Sequence, residues 1–222
     1  MITTVIFDFD GVIVDSVDIK GEAFCHLFRD QSDEIRQRIS DLHANHAGMT
    51  RYDKFKIICE DFLDRPATTA ELERLSQEFS QFCVEKIIEV SYIPGAFEFI
   101  SKHYSDYDLY VASSAPEIEL KEIVKRRGLA NFFKGTYGTP RKKVDICRAI
   151  LQENRLAPQQ VAFIGDSISD YEVAQHCGTH FIGRVDENSK DLLSKQPLRL
   201  KLCDLLGLND VLLYQCNGGK EL

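Results

Sequence analysis

The sequence predicts an α/β protein: a doubly wound parallel sheet with an all-helical domain inserted after its first strand. Three observations lead there. A β-branched, aromatic run opens the chain; helix-like and strand-like segments alternate beyond Pro94-Gly95; and the stretch from about Ser16 to Tyr92 shows helical spacing instead.

Residues 2–8 read as a buried strand, apolar at nearly every position. The insert contributes "IKGEAFCHLFRD", "RYDKFKIICEDFL" and "TAELERLSQEFSQFCVEKIIEV", each amphipathic at helical period. Asp15 and Ser16 are placed to cap the first of these helices. Thr69 is placed to cap the helix that begins near Ala70, with Glu71 and Glu73 in its first turn. After Pro94-Gly95 the order is helix "AFEFISKHY", strand "DLYVASS", then helix "PEIELKEIVKRRG" between Pro116 and Gly128. A short strand-like "FFKGTYG", helix "KVDICRAILQEN", strand "QVAFIGD", helix "SDYEVAQHCG" and strand "THFIGRV" follow. The expected division is a core of 1–15 and 93–222 with a helical domain of 16–92. The tail "YQCNGGKEL" is expected to be mobile.

Composition narrows the function classes. A chain of 222 residues, 44% hydrophobic and 28% charged, can bury a sizeable core without covalent staples. Its formal charge of −8 gives no bulk attraction to nucleic acid or to an acidic membrane. Seven scattered cysteines without a CxxC pair support neither a disulfide framework nor a zinc site. No signal-peptide layout opens the sequence and no apolar run spans a bilayer, so a cytoplasmic setting is expected.

Chemistry concentrates where strands end, the place where ligands bind in such sheets. The first strand runs into Asp8-Phe9-Asp10-Gly11, the second into Ser113-Ser114, and a later one into Gly165-Asp166-Ser167, with Asp170 one helical turn on. Strand alternation turns Asp8 and Asp10 to one side and Phe9 into the core. Two adjacent ionised carboxylates repel, and Asp166 and Asp170 add to the charge. A hard divalent cation with oxygen ligands, most plausibly Mg²⁺, relieves that repulsion and favours a phosphate substrate. Arg141, Lys142 and Lys143 stand at a helix start, where positive charge opposes the helix dipole; a lysine balancing an anion at the site accounts for this.

These segments resemble the four motifs of the haloacid dehalogenase (HAD) superfamily: "DFDGV" the DxDx[TV] motif, "VASSAP" the second, "GTPRKK" the third and "GDSISDYEVAQHCG" the GDSxxD pattern. The helical insert resembles the cap of phosphoglycolate phosphatases and β-phosphoglucomutases. The resemblance implies that Asp8 is a nucleophile forming an aspartyl-phosphate, and that Asp10 is general acid and then base. It implies that Ser113 and the Ser114 N–H hold phosphoryl oxygens, and that Asp8, the Asp10 carbonyl and Asp166 bind Mg²⁺ with support from Asp170. Gly11 serves the tight backbone there and is a candidate substrate contact. For the basic residue, spacing from Pro140 selects Lys143, whereas alignment on Asp145 selects Arg141.

Within "HANHAGMTRYDKFKII", Arg51 and Lys54 share a helix face at i, i+3. Similar Gly-x-[ST]-Arg-x-x-Lys-Phe stretches occur in capped members of the superfamily. Arg51, with Lys54, is therefore expected to meet a second anionic group on the substrate; His43 and His46 are weaker candidates. The combined reading is a Mg²⁺-dependent phosphatase of a small phosphorylated metabolite. A sugar phosphomutase would carry the same motifs. A dehalogenase needs neither Asp10 nor a metal, and a receiver-type signalling domain lacks the insert and the late GDSxxD.

Overall fold

The structure, a computed structural model, describes residues 1–46, 48–186 and 198–216. Two compact units make up the chain: Met1–Asp15 with Ser91–Leu222, and Ser16–Val90.

The first unit is a six-stranded sheet, every neighbouring pair parallel, in the order β3-β2-β1-β4-β5-β6. Its strands are β1 (Thr4–Phe7), β2 (Asp108–Pro116), β3 (Gly135–Thr139), β4 (Val161–Gly165), β5 (His180–Arg184) and β6 (Lys201–Leu202). β1 lies centrally, and all four of its residues are buried, as its unbroken apolar run requires in a sheet covered on both faces. Its side chains divide between the faces. Ile6 joins a cluster with Phe163, Ile146, Ile150 and Ala174, which packs α7 (Lys143–Glu153) and α8 (Ile168–Cys177) onto one side. Phe7 meets Phe99 of α5 (Ala96–His103) edge-on at 6.0 Å. α6 (Glu117–Arg126) follows β2, and α9 (Leu208–Cys216) follows β6. From β1 the chain builds outward to β2 and β3 and then crosses to β4 on the other side, which opens a crevice at the strand ends beside β1.

The second unit contains α1 (Val17–Leu27), α2 (Asp33–Asn45), α3 (Arg51–Ile57), a π-helical turn (Ile58–Phe62) and α4 (Thr69–Glu89). Its centre is aromatic: Phe24, Phe55 and Phe79 are all buried, with centroids 4.8–5.9 Å apart. Ser32, Thr50 and Thr68 each accept a backbone N–H at a helix start, satisfying one of the donors that a helix leaves open there.

Several boundaries differ from the sequence reading. β1 ends at Phe7, so Asp8 and Asp10 stand on the loop after the strand. β2 continues past Ser114 because Pro116 pairs with Thr139 beyond an irregularity after Ala112. Thr68 caps α4 in place of Thr69, through the Glu71 N–H at 3.3 Å. Ser16 occupies the position before α1 but makes no side-chain cap bond. The expected mobile tail begins inside α9, whose backbone is helical to Cys216; residues 217–222 lie outside the described residues. Among the described side chains, six cysteines are free thiols.

Phe55 is fully buried against Phe24, Phe28 and Phe79. Phe55→Ala is expected to destabilise the protein by about 3–5 kcal/mol through lost burial and the cavity left behind. Urea unfolding followed by circular dichroism checks this; an unchanged midpoint refutes it.

Candidate active site

Register brings the motif residues to one rim. Phe7 pairs with Val111 on β2 and with Ile164 on β4. Two residues further on stand Phe9, Ser113 and Asp166. The Asp8 N–H still reaches the Ile164 carbonyl at 2.9 Å, and Phe9 is buried. The loop then closes on itself: Ile13 and Val14 donate to the Phe9 carbonyl, and Gly11 donates to the Val14 carbonyl. Phe9 thus anchors a tight turn, and Asp10 is left half-buried beside it.

Three carboxylates meet there. Asp8, Asp166 and Asp170 are buried, and each offers an oxygen within 4.8 Å of the others. Lys143 lies among them. Its Nζ donates to Asp8 Oδ2 and to Asp170 Oδ1, each at 2.7 Å. The other Asp8 oxygen accepts the Phe9 N–H at 2.7 Å. Asp170 Oδ2 accepts the Ser167 hydroxyl at 2.6 Å and the Ser167 N–H at 3.3 Å, which fixes the start of α8. Gly165 makes this approach possible: a Cβ there would lie 2.3 Å from the Asp170 Cβ.

The electrostatics follow from burial. Desolvation pushes the Asp8 carboxyl up to about 7; the Lys143 ammonium opposes it, and repulsion from Asp170 and Asp10 assists. Asp166 is driven well above the ordinary carboxylate range by burial and by Asp8 and Asp170. Burial alone would lower the Lys143 ammonium, but attraction to Asp170 and Asp8 outweighs it and the shift is upward. Three buried carboxyls meet one ammonium, so the site carries excess negative charge once its acids ionise. A site of that charge, built from oxygen donors, fits one hard divalent cation.

The remaining candidates fall as follows. Lys143 reaches the acids; Arg141 instead pairs with Glu117 at 3.3 Å and lies over the Tyr137 ring. Ser113 is buried, and its hydroxyl oxygen accepts the Ala115 N–H at 3.1 Å, leaving its own hydrogen to donate. Ser114 is half-buried next to it. Gly11, expected also as a substrate contact, gives its N–H to the turn. Arg51 and Lys54 belong to the helical unit and are buried rather than spread on an open helix face. Arg51 Nη1 donates to Ser80 Oγ at 2.7 Å, and its guanidinium lies 4.5 Å from the Phe79 centroid. Lys54 Nζ is 3.1 Å from His43 Nδ1; burial, with Lys20 nearby, brings this amine down to about 7. His43 Nε2 faces the Val17 carbonyl at 3.2 Å, while His46 bonds the Leu42 carbonyl of its own helix.

Two supporting residues escaped the sequence reading. Ser167 caps α8 and holds Asp170; the Ser-x-x-Asp spacing inside GDSISD was the available signal. Glu117 accepts the Gly138 N–H and Arg141, tying the start of α6, just beyond β2, to β3 and the loop before Lys143. Only the fold brings those together.

In metal-free protein near neutral pH, Lys143→Met is expected to lower the unfolding free energy by about 3 kcal/mol, because it strands buried acids without their cation. Urea unfolding in the presence of a chelator measures this. Unchanged stability would mean the two ion pairs contribute nothing net.

Comparison with known proteins identifies the family. Residues 5–184 match the family described as haloacid dehalogenase-like hydrolase. A phosphorylated carbohydrates phosphatase of Thermotoga maritima is 24% identical over 192 residues, covering 84% of this chain and 87% of the relative. Among solved structures, a β-phosphoglucomutase from Clostridium difficile superposes with a TM-score of 0.78 at 17% identity, covering 98% of each chain. A predicted phosphoglycolate phosphatase from Haemophilus somnus superposes with a TM-score of 0.73 at 16% identity, covering 95% of this chain and 97% of that one. The sheet order gathers the four motif segments at one rim, and the family match spans all of them: the chain belongs to the haloacid dehalogenase-like hydrolases, and it is an enzyme of that family.

Proposed function

We propose that this enzyme is a Mg²⁺-dependent phosphomonoester hydrolase of a small phosphorylated metabolite, a sugar phosphate foremost, working through an aspartyl-phosphate on Asp8. The observation that carries this reading is the buried trio Asp8, Asp166 and Asp170 around the single ammonium of Lys143. A purely structural site would be expected to balance such charge or avoid it. The phosphatase name of the Thermotoga maritima relative supports the substrate class.

The chain's residues divide the reaction. Asp8 attacks phosphorus with a carboxylate oxygen, forming the Asp–O–P bond as the ester P–O bond breaks. The leaving alkoxide takes its proton from Asp10. Asp10, now ionised, removes a proton from the water that attacks the aspartyl-phosphate, releasing phosphate and restoring Asp8. The Lys143 ammonium favours the ionised nucleophile, and its second bond to Asp170 fixes its direction. The Ser113 hydroxyl and the Ser114 N–H donate to the phosphoryl oxygens. Asp8, Asp166 and Asp170, with the Asp10 carbonyl, would hold the Mg²⁺, which neutralises phosphate charge facing Asp8 when bound. Arg51 and Lys54 bind a second anionic group of the substrate. Gly11 shapes the acid-bearing turn.

Turnover of p-nitrophenyl phosphate is expected with Mg²⁺ and lost with a chelator. Asp8→Asn abolishes it, and Asp10→Asn reduces it by about 10²–10⁴-fold. Mass spectrometry of quenched Asp10→Asn protein is expected to find one added phosphoryl group on the peptide carrying Asp8; a phosphoryl group on another residue overturns the mechanism. A panel of phosphorylated metabolites then identifies the substrate. Free phosphate as product supports the hydrolase, whereas an isomerised sugar phosphate without phosphate release establishes a mutase.

Arg51→Ala is expected to raise KM about tenfold for substrates with a second anionic group, relative to p-nitrophenyl phosphate, which has none. Equal effects on both substrates exclude the assignment.

A further inference from the structure

Arg184 closes β5 and is buried, yet the mechanism above gives it no task. Its guanidinium meets two backbone carbonyls and one carboxylate. Nη1 donates to the Gly11 carbonyl at 3.2 Å and to Asp186 Oδ2 at 2.6 Å, and Nε donates to the Cys203 carbonyl at 3.3 Å. The first of these contacts falls on the residue directly after Asp10.

We propose that Arg184 is a positioning residue for catalysis: by holding the Gly11 carbonyl it fixes the acid-bearing turn and so the placement of Asp10. The argument begins with the turn. Gly11 adopts φ +74°, a conformation that glycine takes readily and other residues rarely. The freedom that allows the turn also allows its peptide to rotate. Within the turn the Gly11 N–H is tied to the Val14 carbonyl. Its carbonyl is held from outside the turn, by Arg184. A charged donor on that oxygen is stronger than a neutral one and removes the remaining rotation. A planar fork also suits the task, because it bonds several acceptors in fixed directions; a lysine ammonium is a single point on a flexible stem. Stability alone is a poor reason to bury the Arg184 guanidinium, since desolvation offsets most of what its pairing with the half-buried Asp186 gains. Placement of an acid against its leaving group is a better one, since small displacements there change rates by large factors.

This inference rests on the proposed acid–base role of Asp10, so its test has an arm independent of activity. In full-length protein, Arg184→Met is expected to speed hydrogen exchange of the amides in residues 8–14 while the rest of the sheet exchanges as before. With p-nitrophenyl phosphate, kcat should fall about tenfold with KM within twofold, because the phosphate contacts of Ser113 and Ser114 remain. Arg184→Lys should restore part of kcat by keeping one charged donor. Unchanged exchange in residues 8–14, or kcat and KM that move together in step with a lowered melting temperature, overturns the proposal. Faster exchange in a protein whose wild type hydrolyses no phosphate ester leaves the turn's anchor standing and removes the hydrolase reading. Should Arg184→Met fail to fold, Arg184→Lys carries both arms: slower turnover with local exchange in 8–14 supports the proposal, and wild-type values for both overturn it.

Discussion

The Lys143 ammonium, shared between Asp8 and Asp170, is the interaction on which the site depends. Carboxylates taken out of water and set near one another would neutralise by taking up protons, and the elevated positions of Asp8 and Asp166 show that tendency. One buried cation from α7 offsets part of that charge, and the oxygen-rich remainder suits a divalent ion. The rest of the first unit serves this balance. Parallel strands carry three acids to one rim, a glycine without a side chain lets Asp170 close on β4, and a serine cap fixes the helix from which Asp170 projects.

Glu117 and Ser167 extend the same logic outward. Ser167 holds Asp170 at the start of α8, and Glu117 accepts the Gly138 N–H and the Arg141 guanidinium just ahead of α7, which carries Lys143. Burying polar groups in this way is tolerable only because nearly every one finds a partner; the unsatisfied buried side-chain atoms among the described residues are the hydroxyls of Thr3, Thr4 and Thr179 and one atom, Nε, of Arg127, none of them in the acid cluster. The helical unit applies a different solution to buried charge. Its Lys54 leans on a histidine nitrogen and loses much of its affinity for the proton, while Arg51 lies against an aromatic face and a serine hydroxyl.

Much of the first unit was legible in the sequence because its periods are strong. The run at 5–7 is apolar at each step, as suits a strand buried on both faces, and the helices after Pro94 carry clean amphipathic spacing. Ends were harder. The strand at Asp108 continues past the serines because a partner strand offers Thr139 to Pro116, a pairing that local sequence does not encode. Thr68 and Thr69 are equivalent as caps until the chain direction before them is known. The short edge strand at Lys201 exists only because β5 presents open backbone groups to it.

The sequence by itself determined the chemistry available: acids at strand ends, a serine pair in the second strand, a basic run at a helix start, and an order of motifs that names the family. Those are local properties, set by residue type and spacing. Tertiary structure decided which basic residue meets the acids, since Arg141 and Lys143 differ only in the direction their side chains take once Glu117 and Asp8 are in place. It also decided that Arg184 reaches Gly11, a contact between residues 173 positions apart. Such pairings depend on strand order and helix packing, and neither is written in any window of the chain.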